Sequence, residues 1–311
     1  MVFHPPVLRA RDLMGAASSC LLIAFLVCLS SPARAELILG AEASFTYEDN
    51  IVGLLSGGGA SSPAAGVPQG LSAMQAGAKG FGTGPGTGGG TAGGQGSYIG
   101  AGSQSPGDLS VTLMGELGVS GDAGDRFTFY ALGFAERTDY LEFSEYDQAA
   151  AGVSAGATVH VSDAFAASLY GSGGARWYDN DPNRDGEEYS GSAALKQYVT
   201  DDLWLREAAA YDIYRAAYQD FSYRGTAYRL AAGYDLTDDL LVTAGYRFQS
   251  RQYQDIAATV LRTRTALLGT DYDLTDHWST WLAYERQTTH PSTSDVITRN
   301  NIFTLALRWD Y

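Results

Sequence analysis

Three groups of residues have types and spacings that could do chemistry. Asp181-Pro182-Asn183-Arg184-Asp185-Gly186 puts oxygen-bearing side chains at alternate positions before a glycine, the opening of a calcium loop. Asp181, Asn183 and Asp185 are the candidate ligands. The twelfth loop position, however, is Ser192 where a bidentate Glu belongs, with Glu187 and Glu188 as the nearest substitutes. The plainer expectation is an acidic, turn-forming loop. His160 and Ser162 could pair a base with a nucleophile, but no third group orients the base. A water-activating Asp/His set is the third candidate. Only His4, His160, His277 and His290 exist, and none stands beside a pair of Asp residues. There is no phosphate-cradling loop that opens a helix, and no cofactor is expected.

The elements that would position these residues are more informative. The chain has 311 residues and a formal net charge of -15. An acidic balance excludes nucleic acid as the expected partner, because phosphate binding needs a basic surface. Residues 1–35 read as a signal peptide. Arg9 and Arg11 precede an apolar stretch from Ala16 to Leu29, and Ala33-Arg34-Ala35 supplies a small-x-small cleavage site. Cleavage after Ala35 would remove both cysteines and take the net charge to about -17. No later run approaches the length of a membrane-crossing helix.

A turn signature then recurs as Ser162-Asp163, Thr200-Asp201, Thr237-Asp238 and Thr275-Asp276, with the Asp positions 38, 37 and 38 residues apart. Strict alternation follows each turn. Leu240, Val242, Ala244, Tyr246 and Phe248 share one face, while Thr243, Gly245, Arg247, Gln249 and Arg251 share the other. Each period therefore holds one strand down, a tight turn, one strand up and a longer loop. With Gly121-Asp122-Ala123-Gly124-Asp125 about one period earlier, five turns predict six hairpins and twelve strands of ~10–12 residues, the length of a tilted strand crossing a bilayer. The third strand, from Phe127, and the seventh, which carries Glu207, alternate poorly, so their facing stays open. Pro182 and Pro291 both fall in expected long loops.

Such a sheet must bury its apolar face. Turned inward, that face would make a soluble barrel and leave the other face, with its many charges, outside. The polar face, rich in Gly, Ser, Thr and Arg, cannot fill a dry core without stranding charges. The expected fold is all-β: a transmembrane up-and-down antiparallel β-barrel of about twelve strands, outer-membrane type, with lipid around the apolar face. Arg206, Arg229, Asp235, Arg247, Arg251, Asp271, Glu285 and Arg308 would line a hydrated lumen. The excess of Arg over Lys, eighteen to two, is assigned to that lumen. Phe165, Tyr234, Tyr272, Trp278, Trp309 and Tyr311 would form one interfacial aromatic band. Phe45, Tyr47, Trp177, Phe248, Tyr253 and Tyr284 would form the other.

The last strand carries Thr304-Leu305-Ala306-Leu307-Arg308-Trp309-Asp310-Tyr311. It resembles the assembly motif of Gram-negative outer-membrane β-barrel proteins: Thr304, then Ala306 where that family prefers Gly, then Trp309 and a terminal Tyr311. The resemblance implies insertion into the bacterial outer membrane by the barrel-assembly machinery, with outer-membrane lipid as surroundings and both termini in the periplasm. Ala43-Ser44-Phe45-Thr46-Tyr47-Glu48-Asp49-Asn50 resembles the first-strand Tyr-[Asp/Glu]-Asp-Asn signature of β-barrel porins, some associated with exopolysaccharide systems. His160-x-Ser162 resembles the His-x-Ser of outer-membrane phospholipase A. In that family the pair lies on the lipid-facing wall and is followed by Asn-Gly; here Asp163-Ala164 follow and His160 falls on the polar face.

Residues 53–107 hold 20 of the 38 glycines and four prolines, a composition that cannot pack a core. They would form the first long loop, either exposed outside or folded into the lumen as a plug. The functional expectation is a non-enzymatic, porin-like passive channel, carrying small solutes or polysaccharide. The alternatives are a non-conducting accessory barrel, serving exopolysaccharide secretion or loop-mediated adhesion, and, more remotely, an integral outer-membrane hydrolase.

Overall fold

The computed structural model describes residues 34–49, 107–124, 126–254, 259–293 and 297–311. Twelve strands run in chain order: β1 (Arg34–Glu48), β2 (Asp108–Asp122), β3 (Phe127–Tyr140), β4 (Gln148–Ser162), β5 (Phe165–Tyr178) and β6 (Gly186–Tyr198). They continue as β7 (Leu203–Ala216), β8 (Tyr223–Thr237), β9 (Leu240–Tyr253), β10 (Val260–Asp273), β11 (Trp278–Pro291) and β12 (Thr298–Asp310). Each strand pairs antiparallel with its chain neighbours, and β12 returns to pair with β1, closing the barrel. Both ends of the strand series lie at the short-turn end. Closure leaves no strand edge unpaired, which a lipid environment demands. Residues 1–33 of the expected signal peptide and residues 53–106 of the glycine-rich tract lie outside the described residues. Arg34 and Ala35, before the expected cleavage site, pair with Asp122 and Gly121.

The repeated Thr-Asp turns have a local cause. The Thr200 hydroxyl accepts the Leu203 N–H at 3.0 Å, and Thr237 accepts from Asp239 at 3.3 Å. Thr275 accepts from both His277 and Trp278, at 3.2 and 3.1 Å. A hydroxyl that bonds the backbone two or three residues on stands in for a ladder bond and turns the chain.

Alternation sorts the side chains. Leu113, Leu117, Leu169, Leu268, Leu282 and Leu305 are among the large apolar residues exposed on the outer wall. Thr243, Gln249, Thr265, Glu285 and Gln287 on neighbouring strands are buried inside. Water-soluble proteins rarely expose an apolar surface of this extent, whereas a bilayer requires it. Phe45, Tyr47, Trp177 and Phe248 are exposed toward the long loops, and Phe165, Tyr234, Tyr272, Trp278 and Tyr311 toward the short turns.

Two expectations need correction, and the structure settles the facing of the two strands left open. Tyr253 shares its parity with Arg251, so it faces inward and packs against Tyr223 at 5.3 Å instead of joining the aromatic band. Pro291 is the last residue of β11, opposite Leu261, where the ladder ends and a missing N–H costs least. β3 turns Tyr130, Leu132 and Phe134 inward, where Ile38 and Tyr170 meet them. Its alternation looked poor because that inward face is itself apolar. In β7, Glu207 does face outward, where its carboxylate accepts from the Tyr228 hydroxyl at 3.1 Å.

The arginine assignment also changes. Arg176, Arg206, Arg229, Arg247, Arg251 and Arg308 alternate with the outward residues of their strands. Arg215, Arg224, Arg262, Arg264, Arg286 and Arg299, however, are exposed on the outer wall near the long loops. The lumen therefore does not account for the arginine excess.

Candidate functional site: the charged interior

Four clusters occupy the inward face. Toward the long loops, Arg176 lies 3.3 Å from Glu188 and 3.8 Å from Glu136, and donates to Gln148 at 3.0 Å. Arg251 pairs with Asp212 at 3.2 Å and lies 4.5 Å above the Tyr223 ring, itself stacked on Tyr214 at 5.6 Å. Toward the short turns, Arg308 bridges Glu42 at 2.8 Å and Asp271 at 3.0 Å, beside the Trp281 ring. These three guanidiniums are each matched by one or two carboxylates.

The fourth cluster is different. Arg206 on β7, Arg229 on β8 and Arg247 on β9 stand on adjacent strands, with Arg229 directly opposite Arg247 and Arg206 directly opposite Lys196. Arg229 feels Arg247 and Arg206 as like charges and Glu285 as the opposing one. Arg247 reaches Glu285 only at 3.9 Å, and Arg206 makes no ion pair among the described residues. Instead Arg206 lies 5.9 Å from the Tyr170 ring. Inward neighbours are small: Ala208 opposes Arg229, and Ala231 opposes both Arg206 and Gly245. A small recess of about 20 Å³, room for a water molecule, results, lined by Arg229, Arg247, Thr265, Leu267 and Glu285. Two of its buried polar atoms, Arg247 Nε and Thr265 Oγ1, have no hydrogen-bond partner among the described residues.

The eight residues singled out as lumen-lining thus fall into separate groups. Arg206, Arg229, Arg247 and Glu285 come together; Arg308 and Asp271 form another pair; Arg251 binds Asp212; Asp235 lies near Lys196. Glu42, Glu136, Arg176, Glu188 and Asp212 were missed. Parity alone could have found Asp212, six residues from Arg206, and Glu42, two from Ser44. Glu136 was hidden by the apolar inward face of β3.

The assembly-motif residues sit at the closing strand. The Thr304 hydroxyl lies 3.2 Å from that of Thr46, Ala306 packs against Trp281, and the Tyr311 N–H donates to Leu39 at 3.0 Å. Trp309 and Tyr311 stack at 6.3 Å.

The candidate calcium loop uses its carboxylates internally. Asp181 pairs with Arg184 at 2.9 Å and accepts the Asn183 N–H, while Asp185 accepts the Tyr178 N–H at 2.8 Å. A buried guanidinium occupies the place of a bound cation, held between Tyr146, Tyr178 and Phe221. No cluster of metal-binding side chains occurs among the described residues. His160 and Ser162 straddle an irregularity in the β4–β5 register at the short-turn end. The remaining described histidines lie on other elements, His277 in the β10–β11 turn and His290 near the end of β11.

No family model matches the sequence, and no curated protein does. Solved structures do match. An outer-membrane channel of Pseudomonas putida F1 superposes with a TM-score of 0.55 at 10% identity, covering 88% of this chain and 95% of that one. This chain has the fold of an outer-membrane porin-like β-barrel. Lower similarity links the barrel to a FadL homologue of Pseudomonas aeruginosa, with a TM-score of 0.44, 13% identity, and 88% and 90% coverage. A KdgM porin gives 0.41 and 13%, covering 65% of the present barrel and 99% of its own chain.

Proposed function

We propose that the barrel is a passive outer-membrane channel preferring small anionic solutes, with its long loops outside and its short turns in the periplasm. The observation that carries this reading is the Arg206–Arg229–Arg247 cluster, where like charges stand directly opposite one another. Such an arrangement on neighbouring strands is unfavourable in itself. It becomes useful when an anion passes and takes up donors such as Arg247 Nε and Thr265 Oγ1.

The same reading takes Arg34 and Ala35 as the end of a cleaved signal peptide, Thr304 to Tyr311 as the segment read by the assembly machinery, and residues 53–107 as the first external loop. A rise in conductance on deleting residues 56–104 would make that loop a plug instead.

Planar-bilayer recording across a KCl gradient tests the function. Discrete conductance steps and an anion-preferring reversal potential are expected, moving toward zero in Arg206→Gln and Arg229→Gln. A folded but silent barrel would reject the channel. The accessory reading, in exopolysaccharide secretion or adhesion, would then be favoured. One observation speaks for it: Arg251, Glu285 and Arg308 are 2%, 3% and 5% exposed, so their side chains are tightly held inside the wall.

A further inference from the structure

Three buried hydrogen-bonding groups stand at one level of the interior, toward the short turns. They are the indole N–H of Trp204 on β7, the hydroxyl of Thr243 on β9 and the indole N–H of Trp281 on β11. All three residues are at most 1% exposed, and none of these groups has a hydrogen-bond partner among the described residues. Burial without a partner forfeits hydration, so three such groups at one level need a common explanation. Register brings them together. Thr243 lies directly opposite Gly233 on one side and Gly269 on the other. The Trp204 ring covers Gly233, with Nε1 2.6 Å from where a Cβ would stand, and the Trp281 ring covers Gly269. The two indoles thus lean toward Thr243 from either side.

Donor chemistry decides what could bind there. An indole N–H can only donate, and a hydroxyl can donate as well as accept. A cation finds no acceptor on either indole, whereas a halide or a small oxyanion can take up all three donors. The charges beside the rings agree. Lys196 Nζ lies 4.6 Å from the Trp204 ring centre, and the Arg308 guanidinium 5.7 Å from that of Trp281. The nearby carboxylates already face these cations: Glu42 and Asp271 bind Arg308, and Asp235 is the opposing charge beside Lys196. Lys196 stands on a flexible four-carbon stem, so its ammonium can follow an ion into the site. Thr243 is four residues along β9 from Arg247, so this level lies about 13 Å along the strand from the arginine cluster.

We propose that Trp204, Thr243 and Trp281 form a second binding station for small anions, on the short-turn side of the Arg206–Arg229–Arg247 cluster. The inference extends the anion reading above but stands on uncharged donors, and it does not require the barrel to conduct.

The test reads tryptophan emission from the full barrel in neutral detergent. Phe at Trp177, Trp278 and Trp309, which lie on the outer wall, leaves the two inward indoles as the only emitters. Iodide is the anionic probe, caesium the cationic one and acrylamide the neutral one, all at constant ionic strength. Iodide should quench in a saturable manner and chloride should compete, while caesium and acrylamide should have little effect. Thr243→Val in the same chain should raise the iodide concentration for half-quenching roughly three- to tenfold, the loss of one hydrogen bond. In the chain with all five tryptophans, Trp204→Phe should shrink the iodide-sensitive fraction, a measurement that stands if the triple substitution fails to fold. Emission unmoved by iodide, equal quenching by caesium, or an undiminished response in both Thr243→Val and Trp204→Phe would overturn the proposal. Quenching by iodide in a barrel that shows no conductance would reject the transport reading alone. Conductance without quenching would reject this station alone.

Discussion

Asn300 donates an amide hydrogen to Glu48 at 2.8 Å across the seam where the last strand meets the first. Directly across the seam from Asp49, Asn301 binds it through its backbone N–H at 2.7 Å and its carboxamide at 2.5 Å. Glu48-Asp49, within the segment that resembles a porin signature, therefore has a matching Asn300-Asn301 on β12. Toward the other end, Thr46 meets Thr304 and Glu42 meets Arg308. A backbone ladder tolerates a slip of two residues without changing which face looks outward. These side-chain pairs disfavour that slip.

Asn300→Ala should weaken the seam by about 1–3 kcal/mol, the cost of leaving a buried acceptor unsatisfied. Glu48 would then be left with Glu285, Asp108 and Asp49 as charged neighbours, all of them repulsive. The readout is the temperature at which the folded, gel-compact barrel converts to the extended chain in detergent. An unchanged midpoint would show that the backbone ladder alone holds the closure.

Arg308 and Arg206 should behave oppositely although both face inward. Arg308→Ala strands Glu42 and Asp271, and breaking a buried pair costs about 3–5 kcal/mol. Arg206 has no ion pair among the described residues and is surrounded by like charges. Arg206→Ala should therefore change the unfolding midpoint little while lowering anion preference. Comparable destabilisation by the two variants would contradict this division between neutralised and solute-facing arginines.

Two inward tryptophans depend on glycines across the strand. A Cβ added at Gly269 would fall 2.4 Å from the Trp281 ring, and one at Gly233 would fall 2.2 Å from Trp204. Neither ring can move easily, since Trp281 and Trp204 are each 1% exposed. Gly269→Ala should cost about 1–3 kcal/mol through overpacking and should alter the tryptophan emission. Gly115→Ala is the control, because a Cβ there meets nothing within 4 Å. Equal effects at the two glycines would dispose of the packing argument.

The strand count and the outer-membrane fold were legible because turn chemistry and alternation are local. Thr200, Thr237 and Thr275 mark turns through their own hydroxyls, and the flanking residues alternate for steric reasons alone. What distance along the chain concealed was pairing. Nothing near Arg308 announces Glu42, which lies 266 positions away, and nothing in β3 reveals that Tyr130 meets Tyr170 inside the barrel. The outward arginines were obscured differently. Arg262 and Arg264 sit on the same parity as Ala266 and Leu268, so residue type and facing conflict until the depth of the membrane band is known. Residue type alone assigned the arginine excess to the lumen.

The last prediction concerns pH and the outer face of the long-loop end. Arg137 grips Asp179 with two hydrogen bonds, at 2.9 and 2.7 Å, tying β3 to the loop after β5. These bonds hold the Asp179 carboxyl below the usual carboxylate range. A lowered folded-state pKa means that the pair stabilises the barrel above the ordinary Asp value of about 3.9. That contribution is lost as the pH falls through the folded value. The pair is solvent-exposed, so its contribution is small and should shrink further in high salt. Unfolding midpoints of the parent and Asp179→Asn, compared from pH 7 to pH 2, should differ at neutral pH and converge in acid. A gap that does not narrow as the pH falls would mean that Asp179 acts through the shape of its loop and not through its charge.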